Sequence, residues 1–87
     1  MVYLITYDLN KKGQNYYALY EAIKTFGEYI HPLDSTWLIE TNSSTDTVYN
    51  FLRQYIDGND RLFIVKVVDY WGYMDNEFWP WIKGRVG

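Results

Sequence analysis

Apolar residues follow two different patterns along this chain. Residues 2–7 are mostly β-branched or aromatic, and residues 61–68 show the same preference, so both segments are predicted to be strands. Between them, apolar residues recur at helical spacing in two places. One set lies on a single face of a first helix: Tyr16, Leu19, Tyr20, Ile23 and Phe26. The other lies on a face of a second helix: Val48, Phe51, Leu52, Tyr55 and Ile56.

Cap and turn residues mark the ends of the two predicted helices. Asn15 is predicted as the N-cap of the first helix, and Gly27 as the glycine that ends it. At the start of the second helix, Ser43 and Asp46 have the spacing of a capping box, with Asp in place of the usual Glu. Both helices are therefore short, at about three turns.

Two short extended pieces separate the helices. Residues 28–33 and 35–41 are predicted to form a hairpin or a bent strand pair. The element order is then strand, helix, strand, strand, helix, strand. Two right-handed crossovers of that kind predict an α+β sandwich, the ferredoxin-like β-α-β-β-α-β arrangement with its helices on one face of an antiparallel sheet.

The C-terminal tail and the lysine in the last predicted strand each have several interpretations. Residues 69–87 form an aromatic C-terminal tail, predicted as an edge strand, a short helix, or a segment packed on the body or on a partner subunit. Lys66 interrupts the apolar pattern of the last strand. It indicates an edge position, a carboxylate partner such as Asp8, or a charge that faces a ligand.

Length and composition limit the class of protein. Eighty-seven residues suffice for one hydrophobic core, so residues 1–87 are predicted to form a single domain. Aromatic residues make up 21% of the chain, and we expect some of them to line a groove or a subunit interface. The chain has no cysteine, which suits a cytoplasmic location. No apolar run reaches the ~18 residues of a membrane span, so no membrane partner is expected.

The charge of the chain bears on its partners. The formal net charge is −3, whereas a domain that holds duplex DNA by its phosphates normally carries a basic face. Duplex DNA is therefore disfavoured as a partner. A small anionic ligand, or a short single strand held at a local site, remains compatible with this charge.

The loop at residues 10–15 is the first candidate ligand site. It precedes the N-terminus of a helix, where free amides and the helix dipole attract anions. Its residues supply positive charge, hydrogen-bond donors and a flexible glycine, but they match no known phosphate-loop fingerprint, so an ordinary solvated loop is the alternative. The candidate residues are Asn10, Lys11, Lys12, Gly13, Gln14 and Asn15.

Asp8, at the end of the first strand, has two interpretations. It could coordinate Mg²⁺ together with its mate in a homodimer, because hard cations prefer more than one carboxylate oxygen. It could instead accept hydrogen bonds from the loop that follows and brace the turn. The nearest acids in sequence are distant, so the metal site depends on dimerisation.

Further candidates are a histidine and several residues around it. His31 is the only histidine and a candidate general base, with a surface or hydrogen-bonded role as the alternative. Ser35 and Thr36 follow closely as candidate ligand contacts. Tyr17 and Trp37 are candidate platforms for nucleobases, and each stacked base contributes about 1–3 kcal/mol without requiring positive charge.

Several of these residues resemble a known family. The strand ending in TYDL, the STWLIE strand and the element order are similar to the CRISPR-associated "Cas-two" proteins, to VapD-type toxins and to small bacterial and phage proteins related to both. The likeness covers about residues 1–68. It implies a metal-ligating acid across a homodimer axis, in the place of Asp8, and a Ser followed by an aromatic residue, which residues 35–37 approximate.

Three functions follow as hypotheses. The first is a small homodimer, of a kind suited to a phage or mobile element, that sequesters a nucleotide or short oligonucleotide in its dimer cleft. The second is a metal-dependent nuclease or phosphodiesterase that uses paired Asp8 carboxylates with Mg²⁺. The third is a protein-interaction module whose contact surface is the Trp-rich tail.

Overall fold

The computed structural model describes residues 1–10 and 16–86. Over these residues the protein is a small α+β structure with three α-helices and a four-stranded antiparallel sheet of order β2-β3-β1-β4. The strands are β1 (Val2–Asp8), β2 (Tyr29–Leu33), β3 (Thr36–Glu40) and β4 (Arg61–Lys66). The helices are α1 (Tyr17–Lys24), α2 (Thr45–Arg53) and α3 (Trp79–Lys83), and α3 follows a 3₁₀ turn at Asn76–Phe78. The predicted α+β class is confirmed.

The face of the sheet that carries α1 and α2, here called the helix face, holds the larger core. Side chains alternate along a strand, so Tyr3, Ile5 and Tyr7 of β1 all point to this face. Each fully buried apolar side chain of this kind stabilises the fold by about 1.5–3 kcal/mol. Around them lie the buried residues Tyr16, Leu19, Ala22, Ile23, Trp37, Ile39, Val48 and Leu52.

The opposite face, here called the tail face, is partly covered by residues 67–86. Val2 of β1 and Leu38 of β3 point to this side and pack with Ile82 of α3, which is 2% exposed. The tail thus forms a short helix that lies on the sheet. The edge-strand alternative for the tail is wrong, because the apolar residue Ile82 finds its partners on the face of the sheet.

The helix ends differ in detail from the prediction. The N-cap of α2 is Ser44, whose hydroxyl accepts a hydrogen bond from the Thr47 amide at 3.4 Å and donates one to Asp46 at 2.6 Å. The prediction of Ser43 as the cap was wrong by one residue, since the Ser43 carbonyl instead accepts the hydroxyl of Tyr3 at 2.7 Å. The predicted cap Asn15 lies outside the described residues.

Gly27 is required for a close approach between the end of α1 and the sheet. Its φ is +138°, and a Cβ there would lie 2.8 Å from the Glu40 carbonyl oxygen. It stands two residues beyond the C-cap Thr25, in the turn that leads into β2. The sequence identified this glycine as a helix stop, and the structure adds the contact that excludes a side chain.

The hairpin and the edge strands follow the sequence pattern. β2 and β3 pair antiparallel around a turn at residues 34–35, with an irregularity between Ile30 and Leu33. β4 is an edge strand, as the position of Lys66 indicated. In the described part of the chain, no helix has both the length and the hydrophobicity needed to cross a membrane.

Candidate functional site

A single buried carboxylate holds the described ends of the 10–15 loop. Asp60 is 5% exposed, and its Oδ1 accepts hydrogen bonds from the Asn10 amide at 2.8 Å and from the Tyr16 hydroxyl at 2.9 Å. Its Oδ2 accepts the Asp57 amide at 2.9 Å. Asp60 therefore ties the loop to the turn before β4. Residues 11–15 lie outside the described residues, so their anion-binding role stays a prediction.

Sequence reasoning missed Asp60. The signal was present as an acid just before the strand predicted at residues 61–68, but that position is also typical of a solvated turn. The contact with Asn10 joins residues 50 positions apart, and no local pattern identifies such a pair. At Asn10 the bracing hydrogen bond is accepted by Asp60 rather than by Asp8, and the other amides considered for Asp8 lie outside the described residues.

Asp8 is exposed at the end of β1, in register with Arg61 of β4. The Arg61 guanidinium donates to the carbonyls of Gly58 at 3.3 Å and Asp60 at 3.0 Å. Among residues 1–10 and 16–86, no group of three or more His, Cys, Asp or Glu side chains could hold a metal ion. The Mg²⁺ site that Asp8 would form with a second copy stays a prediction.

Three residues on the helix face contact one another in series: His31, Trp37 and Tyr7. The His31 ring stacks on Trp37 with centroids 3.9 Å apart and an interplanar angle of 10°. Trp37 Nε1 donates to the Tyr7 hydroxyl at 3.0 Å, and that hydroxyl donates to the Asp34 carbonyl at 3.4 Å. Burial raises the pKa of Tyr7 to about 12, against the opposing effect of the Trp37 hydrogen bond.

The placement of Trp37 does not suit a base-stacking platform. Trp37 is 3% exposed, with His31 over one side of the ring and Tyr20 stacked at 6.1 Å. A nucleobase could reach this ring only by displacing its neighbours. His31, the candidate base, has Nε2 3.1 Å from the Asp34 carbonyl oxygen, which gives it a structural role at the β2–β3 turn.

The remaining predicted residues are distributed over both faces. Tyr17 is 62% exposed at the start of α1. Ser35 lies in the β2–β3 turn, where its carbonyl accepts the amide of Tyr7 and the hydroxyl of Thr6. Thr36 points to the tail face and hydrogen bonds with Thr6 at 3.3 Å. The structure does not bring Tyr17, His31 and Thr36 into one site.

A cleft lies instead between the tail face and the C-terminal segment, and we call it the sheet–tail cleft. Its volume is about 530 Å³. It exists because the tail leaves the sheet after β4, returns through α3 and covers only part of the face. The sheet side is formed by Leu4, Thr36, Leu38 and Val65, and the tail side by Tyr70, Trp71, Tyr73, Met74 and Trp79. Among the lining residues, Lys66 and Asp69 are the charged ones.

Aromatic rings form the tail side of this cleft. Trp79 is stacked with Tyr70 at 6.2 Å and tilted against Trp71 at 6.3 Å. Trp71 is 93% exposed and Tyr73 102% exposed, so their rings present open faces to solvent at the mouth. The sequence pointed to this tail as a packing segment. The tail also provides ring faces for a ligand because of the path that it follows over the sheet. No periodic pattern in the sequence predicts that path.

No protein-family model matches this chain, and no solved structure is significantly similar to it. The resemblance to the "Cas-two" and VapD-type families therefore stays a prediction.

Proposed function

We propose that this protein binds a flat aromatic ligand, a nucleobase or nucleoside, in the sheet–tail cleft and sequesters it without chemical conversion. The observation that carries this proposal is the cleft itself. Its volume of about 530 Å³ falls within the roughly 300–1,000 Å³ typical of small-molecule sites. Its lining is predominantly apolar, with a few polar groups such as Thr36 that can orient a ligand.

The charges near the cleft favour a ligand without several phosphates. Of the two charged lining residues, Asp69 is acidic, and strand alternation directs the Lys66 side chain, like that of its partner Tyr3, to the helix face. The chain as a whole carries a net charge of −3. Stacking on the rings of Trp71 and Trp79 needs no positive charge, because every base has an apolar π face. A nucleoside thus fits better than a nucleoside triphosphate, whose charge would need more cations.

The arrangement supports binding rather than catalysis. Asp8 was the candidate metal ligand and His31 the candidate general base, and neither lines the cleft. His31 stacks on Trp37, which points to the helix face, so the sheet separates it from a ligand on the tail side. A reaction in the cleft would have to use other groups.

We also propose that the protein has the ferredoxin-like fold and that it acts as a homodimer. Support for the fold comes from the element order and the antiparallel strand order β2-β3-β1-β4. The packing of α1 and α2 on one face of the sheet supports it as well. A shared fold does not define the ligand, so the ligand class depends on the cleft.

A titration with nucleosides tests the proposed function. Adenosine, guanosine, cytidine and uridine are added to the full chain without metal, with thermal unfolding and tryptophan fluorescence as readouts. At least one nucleoside is expected to raise Tm and quench the fluorescence, while its triphosphate binds more weakly. Chromatography of the mixture should show the nucleoside unchanged, and a product would contradict sequestration.

Two exposed aromatic residues provide a matched pair of variants. Trp71→Ala removes a ring at the mouth and is expected to weaken binding about tenfold, from the roughly 1–3 kcal/mol of one stacked base. Tyr17→Ala removes an exposed ring of α1 outside the cleft and should leave the affinity unchanged. The reverse pattern would place the ligand beside the 10–15 loop and overturn the cleft as the site.

A protein-interaction module is the second candidate, favoured by a specific observation. Phe63, Val68, Trp71 and Tyr73 are 65%, 78%, 93% and 102% exposed. Exposed apolar groups of this size often mark contact surfaces. If no nucleoside changes Tm or fluorescence, while Trp71→Ala lowers self-association, this function replaces the first.

A further inference from the structure

The two edges of the sheet differ in how open they are to pairing. β2 contains Pro32 and an irregularity between Ile30 and Leu33, and both features hinder the addition of another strand. β4 has six residues without proline, and its register with β1 is continuous from one end of the strand to the other. Of the two edges, β4 is therefore the one more open to pairing with another strand.

The hydrogen bonds of β4 show which backbone groups are directed outward. The Val67 amide donates to the Val2 carbonyl at 2.8 Å, next to the strand. Because hydrogen-bonded pairs alternate in an antiparallel ladder, residues 61, 63 and 65 also bond to β1. The amides and carbonyls of Leu62, Ile64 and Lys66 are then directed away from the sheet. No strand in the described parts of the chain pairs with that side.

We infer that β4 pairs antiparallel with β4 of a second copy of this chain, about a twofold axis at Ile64. This inference goes beyond the proposed ligand site and does not depend on it. With this axis, Ile64 meets its own mate, and Leu62 meets Lys66 of the partner subunit in both directions. Three hydrogen-bonded pairs form, with about six backbone hydrogen bonds. An axis at Phe63 would form fewer.

The side chains favour a second copy as the occupant of this edge. On the tail face, Phe63 lies directly opposite Val65 of the partner subunit, in a non-hydrogen-bonded pair where side chains are closest. In a single copy, Phe63 is 65% exposed and Val65 38% exposed, so pairing covers apolar surface that is otherwise exposed to solvent. The strand is thus complementary to itself.

The pairing has consequences for both candidate sites. A twofold axis perpendicular to the sheet keeps the faces aligned, so the two sheet–tail clefts open on the same side of an eight-stranded sheet. Asp8 is in register with Arg61, three residues from the axis. The Cα atoms of the two Asp8 residues then lie about 25 Å apart, from strand spacings of about 4.8 Å and a rise of about 3.4 Å per residue. This dimer does not form the paired-Asp8 metal site.

Sedimentation of matched variants tests whether β4 forms the dimer interface. The full chain is examined over a micromolar concentration series, together with Phe63→Lys on β4 and Leu33→Lys on β2, two exposed apolar edge positions at 65% and 52%. The wild type and Leu33→Lys are expected to form the same dimer, and Phe63→Lys to dissociate about tenfold more readily. A monomeric wild type, or equal loss in both variants, would overturn the inference. Circular dichroism confirms that each variant is folded.

Cysteine cross-linking tests the axis. The chain has no cysteine, so any disulfide that forms must join the introduced cysteines. In a non-hydrogen-bonded pair the Cα atoms lie about 4.5 Å apart, within the range of a disulfide. The double variant Phe63→Cys/Val65→Cys is expected to form covalent dimers on mild oxidation. Equal cross-linking by Phe63→Cys alone would move the axis to Phe63 and overturn the Ile64 register. Neither result alters the nucleoside titration, which monitors Trp71.

Discussion

The two faces of the sheet are covered in different ways, although the same strands supply both. On the helix face, Ile5 and Ile39 are 0% exposed and lie beneath two amphipathic helices. On the tail face, the short segment buries Val2, Leu38 and Ile82 and leaves a cleft with exposed rings at its mouth. The difference separates two tasks. The helix face supplies most of the stability, and the tail face provides the surface available for binding.

Neighbouring residues of β1 give the strongest test of this comparison. Ile5→Ala is expected to lower the free energy of unfolding by about 2–5 kcal/mol, because it removes buried atoms and leaves a cavity. Leu4→Ala, one residue away on the tail face, should cost clearly less, because Leu4 is only half-buried and already borders open space. Urea denaturation of both variants measures the difference. Equal losses would show that the tail face is packed as tightly as the helix face.

The sequence predicted the helix face better than the tail face, and the reason is physical. Runs of β-branched and aromatic residues identified the strands, and helical spacing identified the helices α1 and α2, because burial against a common core favours those patterns. The tail has no such repeat, so its path and the cleft beneath it could not be derived. Asp60 and the Tyr7–Trp37 pair were missed for a related reason. They are polar contacts between residues 30 or more positions apart.

Polar contacts inside the helix face give the next largest effect. Tyr7→Phe removes the acceptor of Trp37 Nε1 and leaves a buried donor unpaired, at an expected cost of about 1–3 kcal/mol. The matched change on the tail face is Tyr73→Phe, at a fully exposed hydroxyl, which should have little effect. Chemical denaturation followed by tryptophan fluorescence distinguishes the two. A neutral Tyr7→Phe would mean that Trp37 finds another acceptor.

The pH dependence of the same tyrosine adds an independent readout. The folded pKa of Tyr7, about 12, lies above the ordinary value of 10.0, so the folded state keeps its proton longer than the unfolded state. Stability from this group is fully present below pH 10 and is lost as the pH rises from 10 towards 12. Tyr7→Phe should have a shallower alkaline decline than the wild type. Identical declines would exclude Tyr7 as its source.

The exposed rings of the tail face should have the smallest effect on folding. Trp71→Ala and Tyr73→Ala are each expected to change the free energy of unfolding by less than about 0.5 kcal/mol, because surface side chains bury little on folding. Urea denaturation without added nucleoside measures this directly. A loss of several times that size would place these rings among the groups that hold the fold together. If these large rings contribute nothing to stability, they are available for a ligand at the mouth of the cleft. The nucleoside titration of the same Trp71→Ala variant tests this expectation.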